Sequence, residues 1–78
     1  SISEVAKLAG VSSSTVSRVI NNHPRVAPKT VQSVRAAMQN LGYMYANGMG
    51  VPRNPQEAQR WYQKAKEARG EAEARDSA

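Results

Sequence analysis

Residues 10–21 read Gly-Val-Ser-Ser-Ser-Thr-Val-Ser-Arg-Val-Ile-Asn, and this stretch decides the fold. Gly10 suits the end of one short helix, because glycine readily adopts the left-handed backbone that stops a helix. Ser12 suits the N-cap of a second helix, over about residues 13–21. Apolar residues recur in that helix at i, i+3 and i+4, which predicts one buried face. They are Val16, Val19 and Ile20.

The opposite face of the second helix is polar. It carries short hydroxyl side chains at its tip and an arginine one turn later, namely Ser13, Ser14, Ser17, Arg18 and Asn21. A surface helix of this kind can enter the major groove of DNA. The alternative is that serine is common at any helix N-terminus. Three consecutive serines exceed what capping needs, which favours the DNA interpretation.

Helices are predicted on both sides of this stretch. Ser1 and Glu4 fit a capping box, which predicts a first helix over residues 2–9. Pro28 suits the first position of a third helix, although Ala27 before it is a poor cap. The third helix has a buried stripe made of Val31, Val34, Met38, Leu41 and Tyr45. Because no proline follows until Pro52, we expect this helix to run unbroken to about Asn47.

A fourth helix, over about residues 55–69, has its own start signal in Asn54, Pro55 and Glu57. Its apolar stripe is Ala58, Trp61, Tyr62 and Ala65. We expect Trp61 to pack on the third helix near Leu41, Gly42 and Tyr45, with Trp61 and Tyr62 both in the core. Gly42 costs about 1 kcal/mol within a helix relative to alanine, and close packing across it is the expected compensation. Residues 71–78 should be a frayed tail, so the predicted fold is all-α with four helices.

The first 43 residues closely resemble the DNA-binding headpiece of the lac repressor family. The resemblance rests on Val5-Ala6-Lys7-Leu8-Ala9-Gly10-Val11-Ser12 and on Thr15-Val16-Ser17-Arg18-Val19-Ile20-Asn21. It implies a three-helix, helix-turn-helix fold that binds double-stranded DNA and regulates transcription. The implied DNA-binding residues are Ser12, Ser13, Ser14, Thr15, Ser17, Arg18, Asn21, Arg25, Lys29 and Thr30.

The resemblance also implies roles for some of these residues. Arg18 matches an arginine that reaches a guanine edge, a contact that suits its two-pronged guanidinium. Asn21 matches a contact at the edge of the groove, but it could equally be the C-cap of the second helix. Arg25 is expected to touch phosphate. Lys29 and Thr30 lie in the first turn of the third helix, where exposed N–H groups also favour phosphate.

The chain departs from the family pattern after Tyr43. Headpieces usually continue into a proline-containing link and a hinge helix that supplies a dimer contact and a minor-groove wedge. This chain has Met44-Tyr45 there, and we expect no effector-binding domain. We therefore expect a monomer with weak, largely electrostatic DNA binding and no small-molecule effector.

A second resemblance, to the Sel-one-like repeat, covers residues 37–70. This repeat is a helical hairpin related to the tetratricopeptide repeat. The matching residues are Ala37, Leu41-Gly42, Tyr45, Gly48, Gly50-Val51, Ala58, Trp61-Tyr62 and Lys64-Ala65. A headpiece over residues 1–47 and a hairpin over residues 37–70 would therefore share the third helix. This predicts a designed or selected chimera, with a natural fusion as the alternative.

Charge is uneven along the 78 residues, whose formal net charge is +5 at pH 7. Residues 1–43 carry five basic residues against one acidic residue, whereas residues 44–78 carry six against five. An almost acid-free half is the electrostatic footprint of a protein that binds a polyanion. A basic surface with no partner is the alternative that charge alone leaves open.

Composition argues against several other classes of protein. There is no cysteine, and His23 has no neighbouring carboxylate, so we expect no metal and no cofactor. The sequence offers no nucleophile–base pair and no paired carboxylates on one face, so we do not expect an enzyme. No apolar run approaches the ~20 residues of a membrane span, and no signal peptide is visible, so a cytoplasmic or recombinant protein is expected. Two alternative functions stay open: a structural chimera without DNA binding, and a protein-interaction repeat, which would need about three repeats.

Overall fold

The computed structural model describes residues 1–68 and shows four α-helices. They are α1 (Ile2–Ala9), α2 (Ser13–Ile20), α3 (Pro28–Asn47) and α4 (Pro55–Glu67). Within this described part of the chain there is no β-strand, which confirms the predicted all-α fold with a helix-turn-helix and a helical hairpin. The frayed tail predicted for residues 71–78, and the predicted end of the fourth helix at residue 69, lie outside the described residues.

The turn between α1 and α2 forms as its residues predict. Gly10 has φ 71° and ψ 32°, the left-handed backbone that ends α1. The Ser12 hydroxyl accepts a hydrogen bond from the Thr15 amide at 3.2 Å and so caps α2. The helix ends at Ile20, one residue before the predicted end, because Asn21 is its C-cap. The Asn21 side-chain amide donates to the Ser17 carbonyl at 2.9 Å.

Helix α3 is unbroken over 20 residues, from Pro28 to Asn47, as predicted. Its N-cap, Ala27, makes no side-chain hydrogen bond. Gly48 ends the helix with φ 65°. Because the helix continues through Gly42, the first three helices and the α3–α4 hairpin have α3 in common.

One hydrophobic core contains residues from all four helices. Helix α4 packs along α3 and also contacts α2, while α1 packs against both α2 and α3. The stripe predicted on α3 is buried except for Tyr45, which, like Ile20 of α2, is half-buried. The buried cluster comprises Val5, Ala6, Val16, Val19, Val31, Val34, Ala37, Met38, Leu41, Trp61, Ala65 and Ala68.

The residue that packs directly over Gly42 is Tyr62. Trp61, predicted to pack near Leu41, Gly42 and Tyr45, lies in the same buried cluster as Leu41, and Tyr45 packs against that cluster. A Cβ atom added at Gly42 would lie 2.7 Å from Cε1 of Tyr62. Adjacent helical residues point about 100° apart. Helix α4 is rotated so that Trp61, only 4% exposed, faces the shared core, and the ring of Tyr62 lies across α3. Tyr62 stays 38% exposed and is therefore not the core residue that was expected.

The contact at Gly42 predicts that Gly42→Ala changes the free energy of unfolding in opposite directions with and without the Tyr62 ring. Gly42→Ala should destabilise the protein by up to about 2 kcal/mol, because overpacking against the Tyr62 ring outweighs the gain in helix propensity of about 1 kcal/mol. In a Tyr62→Ala background the same change should stabilise by about 0.5–1 kcal/mol, since only the propensity gain remains. Urea unfolding of the four proteins measures both values. Stabilisation by Gly42→Ala with Tyr62 present would contradict this packing.

A polar contact joins the C-terminal part of α3 to α1. The Tyr45 hydroxyl donates to the Glu4 carboxylate, at 3.3 Å from Oε1 and 3.4 Å from Oε2. Burial and the adjacent Glu4 charge raise the pKa of Tyr45. The hydrogen bond from the Ser1 backbone nitrogen holds the pKa of Glu4 below its ordinary value, with a smaller effect from Tyr45. The carboxylate and the neutral phenol are thus the favoured forms at this contact.

Candidate nucleic-acid interface

The outer face of α2 is open. Ser13, Ser14 and Arg18 are exposed, whereas Val16 and Val19 on the opposite face are buried. Helix α4 contacts α2, but it leaves these three polar residues accessible. The face that the sequence assigns to DNA is therefore presented to solvent.

Hydroxyl groups cluster at the tip of α2. The Ser12 hydroxyl lies 3.0 Å from that of Ser14 and 2.9 Å from that of Thr15. Because the Ser12 hydroxyl also accepts from the Thr15 amide, Ser12 acts mainly as the N-cap of α2. Thr15 and Ser17 are half-buried at the flanks of the exposed face. These short side chains can approach a groove closely, but their reach is small.

A cleft of about 350 Å³ brings together four of the predicted site residues from three parts of the chain. Thr15 and Arg18 come from α2, Arg25 from the following loop and Thr30 from the first turn of α3. The remaining lining residues are His23, Val26 and Ala27. The cleft therefore connects the exposed face of α2 to the start of α3.

His23 was considered above only as a metal ligand, and the structure places it beside the candidate site instead. Its Nδ1 accepts a hydrogen bond from the Arg25 amide at 3.2 Å, and its side chain borders the cleft. This contact fixes the loop from which Arg25 projects. The available signal was the position of His23 two residues before Arg25, in the loop that follows α2.

The N-terminus of α3 offers unpaired backbone donors. The first amide of this helix to bond backward is that of Val31, to the Ala27 carbonyl at 3.0 Å. The amides of Lys29 and Thr30 precede it, and Ala27 supplies no capping oxygen. Helix N-termini of this kind attract anions such as phosphate.

Three cations of the candidate site, two of which border the cleft, are available to an external anion. Arg18, Arg25 and Lys29 are exposed, and none makes an ion pair with another described residue. The acidic residue nearest in sequence to them, Glu4, is held by Ser1 and Tyr45 instead. Asn21 is also exposed, with its amide nitrogen bonded to Ser17. Among residues 1–68, no carboxylate pairs with these cations, and Arg18 and Arg25 give the cleft a positive charge.

An exposed polar helix, a tight turn before it and a basic cleft beside it define a DNA-binding domain of the helix-turn-helix class. The family model for bacterial regulatory proteins of the lacI family matches residues 1–45, and the chain belongs to this family. A second model, for the Sel1 repeat, matches residues 35–69. The two matches overlap on α3, over residues 35–45.

Curated relatives match the N-terminal half. The chain is 57% identical over 42 residues to the sucrose operon repressor of Streptococcus mutans, covering 54% of this chain and 13% of the relative. It is 52% identical over 42 residues to the transcriptional regulator GalR of Escherichia coli, covering 54% and 12%. It is 51% identical over 43 residues to the maltose regulon regulatory protein MalI of Vibrio furnissii, covering 55% and 31%. The chain thus spans less than a third of the length of each.

These relatives are a repressor and a transcriptional regulator by name, and they match the helix-turn-helix half of this chain. No solved structure matches the chain at a significant level. Within residues 1–68, none of the helices has the length and apolar character needed to cross a membrane.

Proposed function

We propose that this chain binds double-stranded DNA as a monomer, with α2 in the major groove and the cleft beside it against the phosphate backbone. One observation carries the proposal: Arg18 and Arg25 border a cleft that α2 and the start of α3 form together, and Lys29 precedes Thr30 of that cleft. All three cations are exposed, and none makes an ion pair within residues 1–68. The names of the relatives, a sucrose operon repressor and a transcriptional regulator, support a role in transcription.

Each predicted site residue has a place in this proposal. Arg18 contacts a guanine edge, because its fork matches O6 and N7. Ser13, Ser14 and Ser17 line the groove, with Ser12 holding the helix tip and Asn21 at its end. Thr15 borders both groove and cleft. Arg25, Lys29 and Thr30 bind phosphate, which positions the domain without reading sequence.

Binding should be weak. No hinge helix adds a minor-groove contact, and a monomer reads one half-site. We expect a dissociation constant near the non-specific range, roughly 10⁻⁴ to 10⁻⁶ M at physiological salt. The proposal includes no catalysis, no cofactor and no small-molecule effector, and a cytoplasmic location.

The second half of the chain serves the fold in this proposal. A headpiece over residues 1–47 and a Sel-one-like hairpin over residues 37–70 share α3, as a chimera would. Trp61, Ala65 and Ala68 lie in the same core cluster as Val16 and Val19, which supports α4 as a cap on the headpiece. A single hairpin of this kind offers no stacked surface for partner recognition, since such repeats act in arrays.

Lys29→Ala should weaken all duplexes alike. Lys29 is proposed to neutralise a phosphate, a contact that carries no sequence information. Its loss should flatten the dependence of log affinity on log salt by about one unit, with no change in the preference between duplexes. Fluorescence anisotropy at several salt concentrations measures the slope for a preferred and a scrambled duplex. A selective loss for the preferred duplex would assign Lys29 to base recognition instead.

The proposed function itself is tested by selection from a pool of randomised duplexes, followed by anisotropy titration of the recovered duplex and its scrambled version. We expect saturable binding to both, tighter for the recovered duplex and weaker at higher salt. No binding to either duplex at low salt would refute the proposal and favour a structural chimera.

A further inference from the structure

The groove between α3 and α4 is separate from the candidate DNA interface. Its volume is about 550 Å³, and it shares no lining residue with the cleft beside α2. Two of the residues that border it are cations, two are tyrosines and two are side-chain amides, and none is acidic. They are Arg35, Gln39, Asn40, Tyr43, Tyr62 and Lys66.

The lining residues form two rows, one on each helix. Along α3, Arg35, Gln39 and Tyr43 follow each other at intervals of four residues. Along α4, Tyr62 and Lys66 have the same spacing. Residues four apart lie on one face of a helix, so each row borders the groove along its length. The α3 row spans about 12 Å at 1.5 Å per residue, which is long enough for an extended ligand.

The two ends of this groove differ in chemistry. At one end, the ring of Tyr62 lies over Gly42, the neighbour of Tyr43 in sequence. At the other end, Arg35 Nε donates to the backbone carbonyl of the residue before Lys66, at 3.1 Å. The two tyrosines therefore lie together at one end and the two cations at the other, with the amide side chains of α3 between them.

The groups at both ends are accessible. Tyr43 is 56% exposed and Tyr62 is 38% exposed. Lys66 is exposed and makes no ion pair with another residue among 1–68, and the two amide side chains are exposed as well. Arg35 is half-buried, and its hydrogen bond to α4 holds the guanidinium at the groove.

We propose that this groove binds a short segment of single-stranded nucleic acid, with phosphate at Arg35 and Lys66 and bases stacked on Tyr43 and Tyr62. Proteins that bind single strands combine cations along the backbone with aromatic rings on which bases stack. Unpaired bases also offer their edges to hydrogen bonds, which suits the amides between the two ends. At about 3.4 Å per nucleotide of a stacked strand, the groove accommodates about three nucleotides.

An acidic peptide is the competing occupant, and the groove fits it less well. Its carboxylates would pair with the cations, but they offer no planar group to the two tyrosines. Each nucleotide carries an anionic group and a planar group, so a single strand uses both ends of the groove. This site does not depend on duplex binding by α2, because the two surfaces have no residue in common.

Tyr43→Leu and Tyr43→Phe form a matched pair that tests stacking. Because Tyr43 is exposed, both variants should keep the fold, which circular dichroism checks. Fluorescent single-stranded DNA and RNA oligonucleotides of mixed sequence are titrated with the full chain. We expect Tyr43→Leu to weaken binding of both about fivefold or more, whereas Tyr43→Phe keeps the ring and the affinity. Both variants should bind duplex DNA as the parent chain does.

Lys66→Gln and Lys64→Gln form a second matched pair, which tests the phosphate contact. Both lysines are exposed in the last turn of α4, but only Lys66 borders the groove. Lys66→Gln should flatten the dependence of log single-strand affinity on log salt by about 0.7 units, the value for one phosphate of a single strand. Lys64→Gln should leave this slope unchanged, and so should Arg18→Ala, which alters the proposed duplex site.

Other outcomes would overturn the inference without touching the proposed duplex binding. Failure of the parent chain to bind either single strand at low salt would refute it. Equal effects of the two lysine changes would mean that net charge alone attracts the strand. Loss of single-strand binding in Arg18→Ala, with none in Tyr43→Leu, would place the strand at α2. Binding of polyglutamate that requires Lys66, without binding of oligonucleotides, would identify an acidic peptide as the occupant.

Discussion

Trp61→Ala should cost about 3–5 kcal/mol of unfolding free energy, the usual penalty for removing a buried tryptophan. Trp61 is 4% exposed and belongs to the core cluster that joins all four helices. Because small domains have only about 5–15 kcal/mol of stability, the loss should unfold α4 and reduce the helix content of the whole chain. Circular dichroism during thermal and urea unfolding measures both effects. An unchanged melting temperature would mean that the hairpin and the headpiece do not share a core.

Trp61→Phe is the matched control for this experiment. The Trp61 indole nitrogen is buried and has no hydrogen-bond partner within the described structure. Phenylalanine keeps an aromatic ring and removes this unsatisfied donor, so it gives up no hydrogen bond. We expect Trp61→Phe to retain the fold and most of the stability that Trp61→Ala loses. Equal destabilisation by the two changes would point to a role for the indole nitrogen that this packing does not include.

Arg18→Ala should have the largest effect on DNA recognition. Losing a bidentate guanine contact should reduce the preference for the selected duplex over the scrambled one by about 1–3 kcal/mol. Arg18 is exposed at the border of the cleft and makes no ion pair with a described residue, so the substitution should leave the fold intact. Anisotropy titrations of both duplexes measure the change in preference. A uniform loss on both duplexes would make Arg18 a phosphate contact.

Arg18→Lys separates charge from geometry at the same position. Lysine keeps the positive charge but lacks the planar fork that binds two acceptors at once. We therefore expect Arg18→Lys to keep the affinity for scrambled DNA and to lose much of the sequence preference. Full retention of the preference would show that the guanidinium fork is not what reads the base.

The helices could be predicted from the sequence where local chemistry decides them. Pro28 starts α3 and Gly48 ends it. No further proline lies between them, and the helix does not turn at Gly42. Ser12 and Gly10 likewise set the turn before α2. These signals act within a few residues, so their result does not depend on what packs nearby.

The rotation of α4 could not be predicted in the same way. Trp61 and Tyr62 are neighbours in one apolar stripe, and either could have met Gly42. The choice depends on how all four helices fill a common core, a property of side chains distant in sequence. The half-buried position of Tyr45 could not be predicted for the same reason. Its hydroxyl bonds to Glu4, which is 41 residues away in sequence.

The residues of the candidate site could be named from the sequence, but the cleft that several of them border could not be predicted. The pattern on α2 and the family resemblance named Thr15, Arg18, Arg25 and Thr30, which border one cleft. The participation of His23 depends on how the loop folds, because its ring nitrogen bonds to the Arg25 amide. Whether α4 would cover α2 also depended on tertiary packing.

In the proposed mode of binding, DNA contacts the outer face of α2 and the start of α3. Amide chemical shifts of the full chain, followed during addition of the selected duplex at low salt, test this claim most directly. We expect shift changes concentrated at residues 12–21 and at Lys29 and Thr30. Changes confined to residues 53–67, or no changes at all, would contradict it.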